Sequence, residues 1–402
     1  MPAVGAAIAA VAGAIGTAAS GASAFVAGLG VIGKAVLAIG LSVGSQLLQG
    51  ALAKKSQSTG LQLDLKTGGN VARAAVFGRT ATEGHLVYFN TYGNRNKGLQ
   101  LVYQLSDGGE CDALEKVWVD GEEVTLGIET ALGHPISAFF DSKKGQCGYL
   151  RFFSGAENQS SDAQLVTNAN PSGRWSANNR GRGCCYVSIT LIYYDKVFTS
   201  IPQFRFQLRG LKLYDWRKDS TNGGSGAHRW GTPSTYEWSD NPAVILYNYQ
   251  RGLHVLGQKV MGEGVAAEDL NVPRFTAAAN ACDESVALKA GGSEKRYRFG
   301  GTVSDDAAHA DNLTPILQAM AGDLIEAVGE FAPIAGVAQT PVMTITDADL
   351  VTGEPWTYSG SLTRSELVNA VFGQFADPTQ LWELASFPPR TSSAAELEDG
   401  GE

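Results

Sequence analysis

CCYVSITLIYYD, residues 184–195, is the stretch that decides the fold, because it is a long run of β-branched and aromatic residues. Such a run predicts a strand. The next stretch, QFRFQLRGLKLYD (203–215), alternates apolar and polar side chains, which is typical of a second strand. Its two faces are Phe204, Phe206 and Leu208 on one side and Arg205, Gln207 and Arg209 on the other.

The residues before these two strands carry the same signals. HLVYFNTYG (85–93) and LQLVYQLSDGG (99–109) predict paired strands around a Gly- and Asn-rich turn. KVWVDGEEVTL (116–126) predicts a hairpin that turns at Asp120-Gly121, a favoured turn dipeptide. We therefore expect residues 61–215 to form an antiparallel β domain with loops.

Helices enter the pattern after a Gly-, Ser- and Asn-rich loop at 217–237. In SDNPAVILYNYQRG (239–252), Asn241 is a good N-cap, Pro242 a good first helical residue and Gly252 a good end. A helix of about three turns is expected there, with Leu246 and Tyr249 buried.

Short elements alternate along the rest of the chain. Helices are predicted at 272–286 and at 313–322, where Thr314 is the cap, Pro315 lies in the first turn and Gly322 ends the helix. A hairpin is predicted at 323–337. Strands are predicted at 295–304, within 341–350, where a turn follows the strand, and at 365–378, where Pro378 ends it. The sequence therefore predicts an α+β fold that is mostly antiparallel β.

Charged residues are unevenly distributed along the chain. Residues 1–60 contain Lys34, Lys54 and Lys55 and no acid, so their formal charge is +3. The remaining residues hold 28 of the 31 Lys and Arg against all 40 Asp and Glu, so their charge is −12. A body this acidic repels phosphate. It argues against a nucleic-acid-binding protein and suits a surface past which nucleic acid slides.

No pattern of a catalytic or metal site stands out in the sequence. The five cysteines are odd in number and lack a C-x-x-C spacing, so we expect reduced, buried thiols. None of the five histidines has a second His, Cys or acid at a metal-ligand spacing. We expect a protein that is not an enzyme and that has no catalytic residue, no metal and no cofactor.

An aromatic cluster surrounds the Gly-rich loop. Its members are Tyr214, Trp216, Trp230, Tyr236 and Trp238. Rings beside a flexible loop can hold a sugar or a partner chain. They can also cover the loop as local core, which is the interpretation we favour.

The first 55 residues form a distinct apolar segment, in which Lys34 is the only charged residue between Ala3 and Ala53. We expect a Gly- and Ala-rich helical arm at 1–55, in which Gly28, Gly33, Gly40 and Gly44 allow close helix approach. Lys34 needs a partner, since a lysine is costly inside a membrane. Two uses stay open: conditional membrane insertion and an ordinary oligomerisation helix.

The same arm contains Gly28-x-Gly30-x-x-Gly33, the pattern of a dinucleotide-binding loop. That loop would make the chain a membrane-anchored, nucleotide-dependent enzyme. A dinucleotide-binding loop should follow a strand, and an acidic residue should come about 20 residues after the loop. The first acid in this sequence is Asp64, 31 residues beyond Gly33. We therefore do not assign a cofactor to these glycines.

Seven segments of the body resemble one phage protein family, and they occur in the order expected for it. The segments are 76–89, 180–215, 238–252, 275–286, 294–304, 316–336 and 369–383. Over about residues 61–390 the chain resembles the hub region of the lambda-type phage tail tip attachment proteins (protein J), a siphophage baseplate hub family also seen in gene transfer agents. The resemblance implies a homotrimer with tandem tail-tube-like β-barrel hub domains.

The function implied by the resemblance is that of a structural virion protein. A trimeric tail tip hub closes the distal end of the tail tube and takes part in host attachment and genome ejection, with DNA passing the lumen without specific binding. The implied partners are distal tail and tube proteins, the tape-measure protein, other tip proteins, a receptor-binding fibre or C-terminal extension, and a host membrane contacted by residues 1–55. The implied location is the distal end of the tail, after assembly in the host cytoplasm. The alternative is the hub of a contractile or secretion injection machine.

The resemblance and the sequence pattern together predict five regions. They are an arm at 1–55, a β-rich hub domain at 56–215, a connecting loop and helix at 216–272, an α+β hub domain at 273–390 and a linker at 391–402. The residues expected to carry the structural motif or interface are Trp238, Asn241, Pro242, Leu246, Tyr249 and Gly322.

Overall fold

The computed structural model describes residues 66–67, 71–288, 291–339, 341, 343–349, 353, 370–380 and 382–398. These residues are mostly antiparallel β with a few short helices, which confirms that part of the predicted fold class. One compact unit extends to Ala335 and a second begins at Gly336. The boundaries predicted after 215 and after 272 fall inside the first unit, so the division into two hub domains stays a prediction.

Among the described residues up to 213, the first unit is built of strands with one short α-helix. The strands are β1 (Lys66–Thr67), β2 (Ala74–Phe77), β3 (Arg79–Thr82), β4 (His85–Tyr92), β5 (Gly98–Asp107), β6 (Cys111–Val119), β7 (Glu122–Val124), β8 (His134–Pro135), β9 (Phe140–Asp141), β10 (Gly145–Gln146), β11 (Gly148–Phe153), β12 (Cys184–Ile192) and β13 (Phe204–Leu213). The helix is α1 (Ala163–Asn168), between β11 and β12.

The second part of the first unit alternates helices with short strands. Its elements are β14 (Glu237–Trp238), α2 (Pro242–Arg251), β15 (Leu253–Val255), β16 (Gln258–Met261), α3 (Val272–Asp283), β17 (Ser285–Ala287), β18 (Ser293–Lys295), β19 (Gly301–Ser304), α4 (His309–Ala319), β20 (Asp323–Ala327) and β21 (Glu330–Ile334).

Two larger sheets organise the first unit. The first sheet has the order β1-β4-β5-β12-β11-β8, with β1 parallel to β4 and the other pairs antiparallel. The second sheet has the order β14-β13-β6-β7, and β3 also pairs with β13. The described strands form open sheets and not the expected tail-tube-like barrel, because the first sheet ends at β1 and β8, which have two residues each.

The two sheets share one core. Successive residues of a strand point to opposite faces, and Val187, Ile189 and Leu191 of β12 all enter this core. Across it, the Tyr103 ring of β5 lies 5.9 Å from both Phe204 and Phe206 of β13. The predicted strands at 184–195 and 203–215 are confirmed, as is the hairpin at Asp120-Gly121, where both residues have positive φ.

The helix predicted at 239–252 is confirmed with its ends. Asn241 is the N-cap, Pro242 the first residue and Gly252 the C-cap. Every residue from Pro242 to Gln250 is buried, so this helix is interior on all sides and has no solvated stripe. The predicted helix at 272–286 and the hairpin at 323–337 are also confirmed, as α3 and as β20 with β21.

Three predicted elements differ in the structure. The helix predicted to start at Thr314 starts at His309, so Pro315 lies inside it, and the Thr314 hydroxyl donates to the carbonyl of Ala310. The strand predicted at 295–304 is split into β18 and β19, because the backbone leaves the sheet between them and the amide of Phe299 donates to the carbonyl of Asp240. The described residues 341 and 343–346 do not form the expected strand, whereas the turn expected after it is present as a 3-10 turn at 347–349, where the Asp349 carboxylate accepts from the Thr346 amide.

The second unit contains two small antiparallel pairs and a helix. Its elements are β22 (Ala370–Val371), β23 (Gln374–Asp377), β24 (Glu383–Ser386), β25 (Arg390–Thr391) and α5 (Ser393–Glu398). β22 pairs with β25, and β23 pairs with β24. The single strand predicted at 365–378 is therefore two strands, and its end at Pro378 is confirmed. Helix α5 lies in the region predicted to be a linker.

Candidate functional site

Helix α2 is held at its start by Asn241, a residue that the sequence singled out. The Asn241 Oδ1 accepts hydrogen bonds from the amides of Ala243 at 3.0 Å and Val244 at 3.3 Å. Its Nδ2 donates to the carbonyl of Ala279 in α3 at 2.8 Å. Asn241 is 1% exposed. One buried side chain therefore caps α2 and joins it to α3.

The other end of α2 is joined to α4. The Tyr249 hydroxyl accepts a hydrogen bond from Nδ2 of Asn312 at 2.9 Å and lies 2.8 Å from Nδ1 of His309, to which it can donate. Burial raises the pKa of Tyr249, so its hydroxyl stays protonated. Leu246, in the middle of the helix, is fully buried in the main core.

A third connection of α2, through Asn248, was not found from the sequence. Its Oδ1 accepts from the amide of Tyr214 at 3.1 Å, and its Nδ2 donates to the carbonyl of Tyr214 at 2.7 Å. This pair of bonds fixes the end of β13 against the helix. The only signal was an asparagine inside a predicted helix, because a residue of this type is unfavourable there unless its side chain has a partner.

Trp238 lies in β14, at the edge of the second sheet. Its Nε1 donates to the carbonyl of Gly78 at 3.2 Å. The guanidinium carbons of Arg209 and Arg79 lie 4.8 Å and 5.7 Å from its ring centroid, a cation–π arrangement. Trp238 thus connects β14 to the turn between β2 and β3.

Gly322 ends α4 at a point of close backbone contact. Its amide donates to the carbonyl of Leu317 at 3.0 Å. A Cβ atom at this position would lie 2.2 Å from the carbonyl oxygen of Ile334 in β21. The positive φ of the helix end belongs to Ala321, so Gly322 is required by space and not by its φ angle.

Most of the aromatic cluster around the Gly-rich loop is local core. The Tyr214 ring lies 5.4 Å from Trp230 and 5.9 Å from Tyr236. The Trp216 ring lies 4.4 Å from Tyr247 of α2, and its Nε1 donates to the Thr276 hydroxyl of α3 at 2.8 Å. These contacts favour the local-core interpretation of the cluster over an open sugar site.

Asp219 organises the loop beneath these rings. Its carboxylate accepts from the Tyr214 hydroxyl at 2.8 Å, from the Thr221 amide at 2.8 Å and from Arg229 at 3.0 Å. Burial acts to raise the pKa of Asp219, but the hydrogen bonds from Thr221 and Tyr214 and the charge of Arg229 outweigh it and lower this pKa to about 2. The carboxylate is therefore charged and saturated with donors.

A chain of ion pairs joins α3 to its neighbours. Arg217 pairs with Asp215 at 2.8 Å and with Asp283 at 2.9 Å. Lys295 lies 3.0 Å from the other oxygen of Asp283 and 2.9 Å from Asp240. The shared carboxylate of Asp283 makes this a network, in which each side chain is already ordered by its neighbour.

The five cysteines are free thiols, four of them buried, as the sequence predicted. They are Cys111, Cys147, Cys184, Cys185 and Cys282, of which only Cys184 is half-buried. Burial raises the pKa of Cys282 to about 11, so this thiol is protonated at neutral pH. Among the residues that the structure describes, no group of three His, Cys, Asp or Glu side chains is placed to hold a metal ion.

The predicted arm residues Gly28, Gly33, Lys34, Gly40 and Gly44 lie outside the described residues, as does Gly30 of the dinucleotide pattern. Within the described part of the chain, no helix has the length and apolar character needed to cross a bilayer.

Comparisons with protein families and with curated proteins find no match. Among solved structures, the chain is similar to a chain of the "Virion of native gene transfer agent (GTA) particle". The two share 18% sequence identity with a TM-score of 0.48, and the match covers 90% of this chain and 77% of that chain. A likeness at this level does not assign a function.

Proposed function

We propose that the chain is a structural virion protein, a homotrimeric hub at the tip of a phage tail. The observation that carries the proposal is the arrangement in space of the segments that resemble tail tip hub proteins. Six of the seven segments, which are separate in the sequence, lie against one another in the first unit.

Strand β13, from segment 180–215, lies at the centre of this arrangement. It pairs with β3 from segment 76–89 and with β14 from segment 238–252. β19, from segment 294–304, pairs with β2.

Helix α2 continues the same arrangement into the second half. It contacts α3, which holds most of segment 275–286, and α4, which leads into segment 316–336. The residues singled out from the sequence, from Trp238 to Gly322, therefore join the strands and helices of the first unit to one another. A unit whose strands and helices are joined in this way suits a structural protein, which has to keep its shape.

The proposed partners follow from charge and from the arm. Three acidic bodies around a tail lumen would repel DNA and let it pass without retention, since the residues after 60 carry a charge of −12. The arm at 1–55 would contact the tape-measure protein and other tip proteins before ejection and the host membrane afterwards. Receptor binding would belong to a fibre or to a C-terminal extension.

Location and copy number test the proposal directly. Particles assembled with an epitope tag after Glu402 should carry antibody-gold at the distal end of the tail, and quantitative mass spectrometry of purified particles should give three copies. An untagged chain supplies the labelling control. A chain absent from purified particles, or present at the capsid alone, would show the proposal to be wrong.

The membrane part of the proposal has its own experiment. The full chain should co-float with anionic lipid vesicles, and a chain lacking residues 1–55 should remain in the soluble fraction. Circular dichroism of both proteins checks that the body is folded in each. Equal flotation of the two proteins would rule out a membrane role for the arm.

A further inference from the structure

A second, smaller core lies on the face of the first sheet that points away from the main core. Tyr88 of β4, Val102 of β5 and Tyr186 of β12 form it with Leu165 of α1. The rings of Phe153 and Trp175 pack on these residues. We call the four rings, Tyr88, Phe153, Trp175 and Tyr186, the outer cluster.

Three polar atoms of the outer cluster have no hydrogen-bond partner among the residues that the structure describes. They are the hydroxyls of Tyr88 and Tyr186 and the Nε1 of Trp175. Tyr186 is 3% exposed and Tyr88 is 8% exposed. All three atoms are donors. The Trp175 Nε1 always carries a hydrogen, and burial raises the pKa of both tyrosines, so their hydroxyls stay protonated. Unpaired buried donors are costly and rare, and three in one cluster indicate a group that accepts hydrogen bonds.

The three rings that carry these donors are neighbours. The Trp175 ring lies 4.9 Å from the ring of Tyr88 and 6.4 Å from that of Tyr186. Phe153 stacks on Tyr186 at 4.5 Å. The unpaired donors therefore belong to a single site.

A positively charged loop lies over this site. Residues 163–194 contain no acid and three arginines, Arg174, Arg180 and Arg182, although the body as a whole is acidic. All three arginines are exposed, and none pairs with a carboxylate of the described residues. Arg174 lies over the Tyr88 ring at 5.1 Å.

The loop forms a small pocket directly above Tyr186. Asn178, Arg180, Gly181 and Arg182 line an open pocket of about 250 Å³. A Cβ atom on Gly181 would lie 2.6 Å from Cε1 of Tyr186, the ring carbon next to the one that bears the hydroxyl. Gly181, which lines the pocket, therefore packs against the hydroxyl end of the Tyr186 ring.

Hydrogen bonds from Gln159 hold this pocket in shape. Its Nε2 donates to the carbonyls of Arg180 at 2.8 Å and Gly181 at 3.0 Å, and its Oε1 accepts from the amide of Gly155 at 2.8 Å. A side chain that is fully used in this way fixes the backbone between the two arginines. The pocket is thus a formed feature of the fold.

We propose that Trp175, Asn178, Arg180, Gly181 and Arg182, which we call the arginine loop site, bind a single anionic sugar, one whose ring carries a phosphate or a carboxylate. The two arginines supply charged donors for the anion. In the proposed complex the sugar ring packs on Trp175, whose ring is a neighbour of Tyr186, and a sugar hydroxyl accepts from the Tyr186 hydroxyl, which Gly181 covers in the free protein. This binding is independent of the proposed virion role.

Size and charge favour a sugar over a larger polyanion. A pocket of about 250 Å³ holds one ring and its anionic group, and it is smaller than the roughly 300–1,000 Å³ of drug-sized sites. A nucleic acid would also have to follow the surrounding surface, whose net charge repels a chain of phosphates. A short ligand with one charge avoids that repulsion.

Titration calorimetry of the full chain tests the proposal with defined probes. We expect glucose 6-phosphate or glucuronate to bind, and glucose, inorganic phosphate and an eight-residue oligo-dT to bind at least about tenfold more weakly. Affinity should fall as salt is raised, because the contact is electrostatic. No binding of either anionic sugar, or equal binding of phosphate alone or of oligo-dT, would overturn the proposal.

Two variants separate binding from folding. R180Q/R182Q should weaken anionic sugar binding by about tenfold or more, and R95Q, which removes an exposed arginine elsewhere, should leave it unchanged. Tyr186→Phe should weaken binding severalfold while the thermal midpoint stays the same or rises, because it removes a hydroxyl that has no partner. An R180Q/R182Q protein that binds as tightly as the parent, or a Tyr186→Phe protein with undiminished affinity, would refute the site as described.

Discussion

Replacing Asn241 by alanine tests whether the junction of α2 and α3 depends on one side chain. The substitution removes a cap that satisfies two helix amides and a hydrogen bond to the carbonyl of Ala279. Loss of an N-cap costs about 1 kcal/mol, and a buried donor or acceptor left without a partner costs about 1–3 kcal/mol more. We expect Asn241→Ala to lower the free energy of unfolding by about 2–4 kcal/mol.

Asn271 provides a matched control, because it caps α3 in the same way. Its Oδ1 accepts from the amide of Arg274 at 3.0 Å and its Nδ2 donates to Glu330 of β21 at 2.7 Å, but the residue is only half-buried and Arg274 is exposed. Water can replace both bonds, so Asn271→Ala should cost about 1 kcal/mol. Asn241→Ser keeps a cap oxygen and loses the bond to α3, and should fall between the two.

Urea unfolding followed by tryptophan fluorescence measures all three variants. Trp216 reports on the junction, because it is buried between α2 and α3. The slope with urea should stay constant, so that changes in midpoint report stability. Equal losses for Asn241→Ala and Asn271→Ala would refute the reasoning, since burial would then add nothing to the cap.

Three further substitutions test other parts of the first unit by the same unfolding measurement. Asp219→Asn should destabilise the protein at pH 7. Because the folded pKa of Asp219, about 2, lies below the ordinary value of 3.8, the stability difference between the two proteins should shrink as pH falls from about 4 towards 2. A stability difference independent of pH would contradict this prediction. Gly322→Ala should lower the free energy of unfolding by about 1–3 kcal/mol, because its Cβ would collide with the Ile334 carbonyl. A loss under about 0.5 kcal/mol would contradict this, since it would mean that β21 shifts to make room for the Cβ. Val328→Asn, at an exposed hairpin tip with φ 57°, should stabilise the protein by about 1 kcal/mol, and a lower thermal midpoint would contradict it.

The sequence predicted best those elements whose signals are local. Asn241, Pro242 and Gly252 mark the ends of α2 within the helix itself, and these ends are confirmed. The Asp120-Gly121 turn likewise contains its own conformational requirement, a positive φ at both residues. In each case the information lies within a few residues of the structure it specifies.

The sequence could not predict connections whose partners are distant along the chain. Asn248 bonds to Tyr214, 34 residues away, and nothing near Asn248 indicates that partner. The sequence also predicts the wrong start for α4, because the local preference of one residue is overridden. Pro315 is usual in a first turn, but the structure tolerates it inside a helix that begins at His309.

Strand β12 shows why one candidate site was missed altogether. Its residues are buried on both faces, with Ile189 in the main core and Tyr186 in the outer cluster. A sequence that reads as one continuous buried run gives no sign that its two faces differ. The inner face is filled by apolar side chains, whereas the outer face is covered by the chain between β11 and β12, which brings Trp175 onto Tyr186.

Substitutions on the two faces of β12 should therefore have different effects, one on folding stability and the other on binding. On the inner face, each large side chain contributes by being buried, and substitution there should reduce folding stability alone. On the outer face, Ser188 and Arg151 both bond to the carboxylate of Asp162, while the Tyr186 hydroxyl has no partner in the described part of the chain. On this face the hydroxyl of Ser188 therefore has a hydrogen-bond partner, whereas the hydroxyl of Tyr186, two residues earlier on the same strand, has none among the described residues. A difference of this kind between adjacent groups on one strand is expected where a face has been shaped for something other than folding.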